Sequence, residues 1–271
     1  MASRTWQDSK EFLASLVSKP RFGLFSDLDG TLSPIAPTPE AAQITSRNRE
    51  LLTELQKELP LVALISGRRA DSLQARVGLP GLVYIGNHGL EQWIDGEVKV
   101  TPEAQSFLPA LQATKIELQK IEEPGVYVED KGPTLSLHYR QAADPIAFTK
   151  NKAAMISDAI RKHGLRLFPG KMVFEVRPPI DMDKGNAFEL LVREHSLESA
   201  LFLGDDVSDL NALKAARKMR ANGACDAWGV AVQSEEAPED LAATADFLVA
   251  GVEDVEALLA WVLKARRASS T

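Results

Sequence analysis

Six short apolar runs constrain the fold of this chain more than anything else in it. They are Arg21–Ser26, Leu61–Ile65, Leu82–Ile85, Ala200–Leu203, Gly229–Val232 and Asp246–Val249, and helical patterns lie between them. Ser46–Lys57, for example, carries leucines at 51, 52 and 55, a helical spacing. Strands alternating with helices predict a parallel, doubly wound α/β sheet. In such a sheet, ligands bind beyond the carboxyl ends of the strands.

Residues with chemistry to offer stand just there. The first run leads into Asp27-Leu28-Asp29-Gly30-Thr31. In extended chain, residues i and i+2 point to the same side, so both carboxylates can face one small volume. Two such carboxylates repel unless a cation joins them, and hard oxygen donors suit Mg²⁺. They also divide naturally into a nucleophile and a proton donor. The second run ends in Ser66-Gly67-Arg68, where Ser66 offers a hydroxyl and Gly67 permits close backbone approach to a phosphate. Asp183-Lys184-Gly185 opens a helical pattern and supplies one ammonium. The fourth run is followed by Gly204-Asp205-Asp206-Val207-Ser208-Asp209. Capping of the next helix accounts for one of these acids but not for all three. Asp205 is the main further metal ligand expected. Asp206 offers a water-mediated contact or an orienting role, and Asp209 a bond to Lys184 or to a metal-bound water.

The middle of the chain has another rhythm. One helix is expected over Pro102–Ile121 and a hairpin over Val126–Asp130 and Thr134–Tyr139. A second helix follows near Pro145–His163, then strands near Leu165–Phe168 and Met172–Arg177. This is an antiparallel α+β unit inserted into an α/β domain. The expected division is a core over 1–104 and 181–271, with a cap over 105–180. Thr134, Ser136, His138 and Arg140 share one strand face, and Glu175 and Arg177 share another, opposite to apolar residues. Such a polar face suits a solvated surface or a hydroxyl-rich ligand. The proline-rich stretch Ser33–Pro39 is expected to be a loop at the site entrance.

Together, the four motifs resemble the haloacid dehalogenase (HAD) superfamily of phosphohydrolases. Within it, Gly86-Asn87-His88-Gly89, Glu129-Asp130-Lys131-Gly132, His138-Tyr139-Arg140, Glu175-Val176-Arg177-Pro178 and Asp183-Lys184-Gly185-Asn186-Ala187 resemble trehalose-6-phosphate phosphatases. The resemblance implies Mg²⁺-dependent hydrolysis of trehalose 6-phosphate through an aspartyl-phosphate on Asp27. It implies Asp29 as acid and base, with its main-chain carbonyl also on the metal. Ser66, Gly67 and Lys184 would hold the phosphoryl group. Substrate contacts would come from Arg68, Asn87, His88, Lys131, His138, Arg140, Glu175 and Arg177, and metal contacts from Asp27, Asp29, Asp205, Asp206 and Asp209. Asn87-His88-Gly89 also reads as a plain tight turn. Related sugar phosphates, such as those of sucrose, mannosylglycerate or glucosylglycerol, share the core motifs, and a catalytically silent sensor shares the fold.

Composition narrows the partners. Over 271 residues the net charge is −7, which argues against nucleic acid and not against a phosphate ester. No apolar stretch nears the roughly 18–20 residues that span a bilayer. A lone cysteine, Cys225, excludes a disulfide framework, and the charged first residues argue against a secretory signal. The expectation is a cytoplasmic enzyme acting on a small sugar phosphate, off the membrane, functionally coupled to a trehalose-6-phosphate synthase.

Overall fold

The computed structural model describes residues 4–36, 41–170, 172–234 and 237–269, so the 37–39 part of the expected entrance loop lies outside the described residues. Strands run in chain order as β1 (Arg4–Thr5), β2 (Phe22–Ser26), β3 (Leu61–Ile65), β4 (Val83–Gly86), β5 (Glu91–Ile94) and β6 (Glu97–Val100). Next come β7 (Tyr127–Asp130), β8 (Leu135–His138), β9 (Arg166–Gly170) and β10 (Val173–Arg177), then β11 (Ser199–Gly204), β12 (Asp226–Val232) and β13 (Phe247–Val249). The helices are α1 (Lys10–Val17), α2 (Ser46–Glu58), α3 (Ala70–Val77), α4 (Pro102–Gln105) and α5 (Leu108–Leu118). They continue as α6 (Pro145–Lys162), α7 (Lys184–Glu194), α8 (Leu210–Ala221), α9 (Glu239–Thr244) and α10 (Val252–Ser269).

The chain divides into two compact units, residues 1–97 with 182–271, and residues 98–181. In the first, the sheet order is β1-β13-β12-β11-β2-β3-β4-β5, with β6 beginning at its residue Glu97. From β1 to β4 the neighbours are parallel. The chain winds outward from β2 through β3 and β4, and on the other side from β11 through β12 and β13. The order therefore reverses between β2 and β11, the place where an open α/β sheet forms a crevice.

Continuous apolar strands follow from burial on both faces. Phe22, Leu24, Val62, Leu64, Leu201 and Leu203 pack with leucines of α2 and α10 on one side. Phe25, Ala63, Ile65, Ala200 and Phe202 pack with α7 and α8 on the other. Phe188 of α7 meets both Phe25 (4.4 Å between ring centres) and Phe202 (5.5 Å).

The second unit holds a four-stranded sheet, β7-β8-β10-β9, with antiparallel neighbours throughout. Leu135, Leu137, Phe174 and Val176 fill one face against residues of α5 and α6 such as Leu111, Phe148 and Ile156.

Two expectations need correction. The single helix expected over Pro102–Ile121 is broken into α4 and α5. Pro109 falls in the first turn of α5, where its missing N–H costs nothing, whereas inside a longer helix it would remove a bond. The hairpin β5–β6 was not expected at all. Its turn, Asp95-Gly96, has φ of +52° and +86°, the left-handed pair that a tight hairpin turn needs. It adds an antiparallel edge to the parallel sheet.

Candidate active site

Because β2 and β11 are neighbours, with Ser26 opposite Leu203, the residues just past their ends meet. Asp27 continues the ladder by donating its N–H to the Leu203 carbonyl (2.9 Å). Asp27, Asp205 and Asp209 are all buried, and each offers a carboxylate oxygen within 4.8 Å of the others.

Lys184, also buried, opens α7 and enters this group. Its Nζ lies 2.8 Å from Asp209 Oδ1 and 3.1 Å from Asp27 Oδ1. The contact with Asp27 is ionic rather than a well-aligned hydrogen bond, since that oxygen has no hydrogen-bond partner among the described residues. Asp183 supplies the N-cap that starts the helix at this lysine, accepting from the Asn186 N–H. Asp209 Oδ2 accepts from the backbone N–H groups of Asp205 (3.2 Å) and Asp206 (3.1 Å). Both of its oxygens are thus engaged. Although Asp209 is close enough to ligate, its bonds make it an anchor for Lys184 and for the loop.

Asp205 is fixed differently. Thr31 Oγ1 donates to its Oδ1 at 3.2 Å. Its Oδ2 would lie 2.0 Å from a Cβ at Gly30, whose φ is +77°. Glycine is therefore needed twice over at position 30, for conformation and for space.

Three carboxylates face one ammonium. Burial drives Asp27 well above the ordinary carboxylate range, although Lys184 pulls it down. Burial and the Asp209 charge push Asp205 up to about 7. Burial also raises Asp209. For Lys184, burial works against the ammonium, but Asp209 and Asp27 outweigh it and hold the proton on. A buried excess of negative charge made of hard oxygens fits a divalent cation, with Asp27 and Asp205 as the side chains to hold it.

Asp206 stands outside this group. Its side chain is exposed and accepts from the Val207 N–H, capping the short turn Val207–Asp209. The capping alternative describes Asp206, and the bond to Lys184 describes Asp209.

The carboxylate of Asp29 turns to Arg68, which donates from Nε (2.6 Å) and Nη2 (2.7 Å) as a fork. Ser66, Gly67 and Arg68 sit between β3 and α3. The Ser66 Oγ accepts from the Arg68 N–H (3.3 Å), which leaves its proton to donate elsewhere. The loop is clamped by the segment after β4: the Asn87 N–H donates to the Arg68 carbonyl (2.7 Å) and the His88 N–H to that of Ser66 (2.9 Å). Asn87, His88 and Gly89 have φ of +47°, +58° and +111°, a left-handed turn. The His88 ring lies 2.7 Å from where a Gly67 Cβ would be. Asn87 and His88 are thus buried supports of the loop. Glu91, which the sequence did not single out, is buried too, and its Oε1 accepts from the Ala70 N–H at the start of α3 (2.7 Å). Burial raises its pKa, and the bonds from Ala70 and Asn87 oppose that rise.

The remaining expected site residues belong to the second unit. His138 Nε2 and Glu129 Oε2 are 2.8 Å apart, and that bond holds Glu129 below its ordinary pKa. Arg177 Nε donates to Glu175 Oε2 (3.0 Å). Lys131 Nζ lies 3.8 Å from Glu175 and 3.9 Å from Glu129. These residues share the sheet face opposite the apolar one. Arg140 does not join the strand: β8 ends at His138, Tyr139 is buried between Phe148 and Phe174, and Arg140 is exposed in the following turn.

The family model described as trehalose-phosphatase matches residues 25–243, from the strand before Asp27 to beyond Asp209. The chain belongs to the trehalose-phosphatase family. A trehalose-phosphate phosphatase of Mycobacterium marinum is 37% identical over 205 residues, covering 72% of this chain and 52% of that protein. The chain spans about half the length of the curated relatives it matches. The C-terminal domain of the Candida albicans trehalose-6-phosphate phosphatase shares the fold at 22% identity, with a TM-score of 0.76 over 97% of this chain and 98% of that one. The C-terminal domain of a trehalose synthase regulatory protein from the same organism also shares it, at 14% identity and a TM-score of 0.67 over 97% and 99%. A haloacid dehalogenase-like hydrolase from Bacteroides thetaiotaomicron, at 18% identity and a TM-score of 0.61, shares the fold as well, so the same architecture carries proteins named as phosphatase, hydrolase and regulatory protein.

Proposed function

We propose that this chain is a Mg²⁺-dependent phosphatase that hydrolyses trehalose 6-phosphate to trehalose and phosphate. One observation carries the reading: a trehalose-phosphatase family member keeps Asp27, Asp205, Asp209 and Lys184 together, buried, at the switch point of its sheet. A regulator that only bound the ester would have no need of an excess of buried carboxylate.

In this mechanism Asp27 attacks phosphorus in line, and an aspartyl-phosphate forms as the sugar oxygen leaves. Asp29 protonates that oxygen and then takes a proton from the water that hydrolyses the intermediate. Arg68 holds Asp29 as a carboxylate through two bonds, so Asp29 takes up a proton and leaves this fork before it can act as the acid. The Ser66 hydroxyl and the Lys184 ammonium hold phosphoryl oxygens, and Asp209 keeps Lys184 in place. Asp27 and Asp205 would hold Mg²⁺, which when bound would supply neutralisation of charge at the nucleophile and the phosphoryl group. The polar face bearing Lys131, His138, Glu175 and Arg177 takes the sugar hydroxyls. The proposed setting is the cytoplasm, coupled to a trehalose-6-phosphate synthase that makes the ester. No helix among the described residues is long and apolar enough to cross a membrane.

The test is phosphate release from trehalose 6-phosphate, sucrose 6-phosphate, mannosyl-3-phosphoglycerate and glucose 6-phosphate, with Mg²⁺ or EDTA, beside Asp27→Asn. Preference for trehalose 6-phosphate, abolished by EDTA and by the substitution, is expected. Metal-dependent release from a different ester would overturn the substrate, and no release from any would overturn the enzyme.

A further inference from the structure

Two large aromatic side chains stand on the polar face of the second unit, among its ion-paired residues. Tyr127 on β7 is 52% exposed and Phe168 on β9 is 39% exposed. Cross-strand register puts both on the face of the ion-paired residues: Tyr127 opposes His138, and Phe168 opposes Glu175. They lie on the two outer strands of the sheet, with β8 and β10 between them.

Each ring is also held. The Tyr127 ring is stacked on the His138 imidazole (4.7 Å between centres, 17° between planes), and Glu129 fixes that imidazole. The Arg177 guanidinium lies 4.9 Å from the centre of the Phe168 ring, and Glu175 fixes it in turn. On the same face, Glu129 and Glu175 are matched by Lys131, His138 and Arg177. Such a surface offers many donors and acceptors, charges already compensated, and at both sides a ring that has one face against its partner. An anionic or strongly cationic partner would ask for unbalanced charge. A neutral sugar asks for this combination: hydroxyls for the carboxylates and the guanidinium, and apolar C–H faces for the rings.

Resting on the reading of the preceding section, we propose that Tyr127 and Phe168 are specificity-determining residues that stack on the C–H faces of a neutral disaccharide. The pairs Tyr127–His138 and Phe168–Arg177 flank the face on its two sides, and Glu129 and Glu175 bond the hydroxyls. Specificity for a disaccharide over a smaller ester comes from the need to engage both rings at once.

The experiment uses the full chain with Mg²⁺ and compares trehalose 6-phosphate with p-nitrophenyl phosphate, which has no sugar. Tyr127→Ala and Phe168→Ala should each lower the ratio of the two kcat/KM values about five- to tenfold, through KM for the sugar ester. Tyr127→Phe keeps the ring and should retain the ratio. Unchanged ratios in both alanine variants would overturn the proposal, as would a Tyr127→Phe variant as impaired as Tyr127→Ala. If the protein turns over p-nitrophenyl phosphate but not trehalose 6-phosphate, the substrate reading fails, and saturation-transfer NMR with free trehalose decides the stacking separately. Transfer to sugar C–H protons that is lost in both alanine variants supports it, and no transfer overturns it.

Discussion

Lys184 Nζ lies 2.8 Å from Asp209 Oδ1, and neither residue meets solvent. This pair fixes the ammonium beside Asp27. Asp209→Asn places an amide among groups that already donate, the N–H groups of Asp205 and Asp206 and the lysine itself. Breaking such a buried pair costs about 3–5 kcal/mol. We expect a clear fall in melting temperature, with kcat for phosphate release down on the order of 100-fold or more. Thermal denaturation and single-turnover kinetics measure the two effects separately.

Gly30→Ala should damage the proposed metal site selectively. The added Cβ would meet Asp205 Oδ2 at 2.0 Å, on backbone with φ of +77°. The backbone strain alone costs on the order of 1–3 kcal/mol. Displacement of the Asp205 carboxylate should weaken Mg²⁺ binding at least tenfold, read by calorimetry. Wild-type Mg²⁺ affinity in a folded Gly30→Ala protein would show that Asp205 is not a ligand.

The metal-free protein should grow more stable as the pH falls from about 8 to 5. Asp205 titrates at about 7 in the folded protein, while an unfolded Asp titrates near about 3.9. Between these values the folded state binds more protons, so its stability rises as pH falls. The raised values of Asp27 and Asp209 act in the same direction. Saturating Mg²⁺ should reverse the trend, because the cation requires ionised carboxylates. Melting temperatures at pH 8 and 5.5, with EDTA and with Mg²⁺, make the comparison. An EDTA-treated protein that loses stability across that range would contradict the account.

Glu91 should matter to the phosphate loop without touching substrate. Glu91→Ala leaves the Ala70 N–H buried without its acceptor, a loss of about 1–3 kcal/mol. The loop that carries Ser66 and Arg68 should loosen, raising KM more than it lowers kcat. Glu91→Gln keeps an acceptor at the same place and should restore most of both. Equal impairment of the two variants would point to the charge instead.

Much of the fold was legible because its signals are local. The apolar runs gave β2, β3 and β11 to within a residue or so, and the acids beyond them could be placed at strand ends. The hairpin β5–β6 was missed although Asp95-Gly96 marks it, since Glu91 and Trp93 do not form a plainly polar or apolar alternation. Residue types at strand ends also led to the proposed chemistry: carboxylates, a hydroxyl and one ammonium in an order that suits phosphoryl transfer.

What local pattern could not supply was the pairing of side chains across space. Nothing in Gly204–Asp209 distinguishes the acid that caps a turn from the one that anchors a lysine. Only the docking of α7 beside β11 puts Lys184 against Asp209 and leaves Asp206 to the Val207 N–H. The fork from Arg68 to Asp29 and the bond from Ala70 to Glu91 likewise join segments distant in sequence. Sequence by itself determined which groups stand at the carboxyl edge, because strand and turn propensities act over a few residues. Tertiary structure alone decided which of them share a proton, a charge or a ligand, because burial and strand order set those distances.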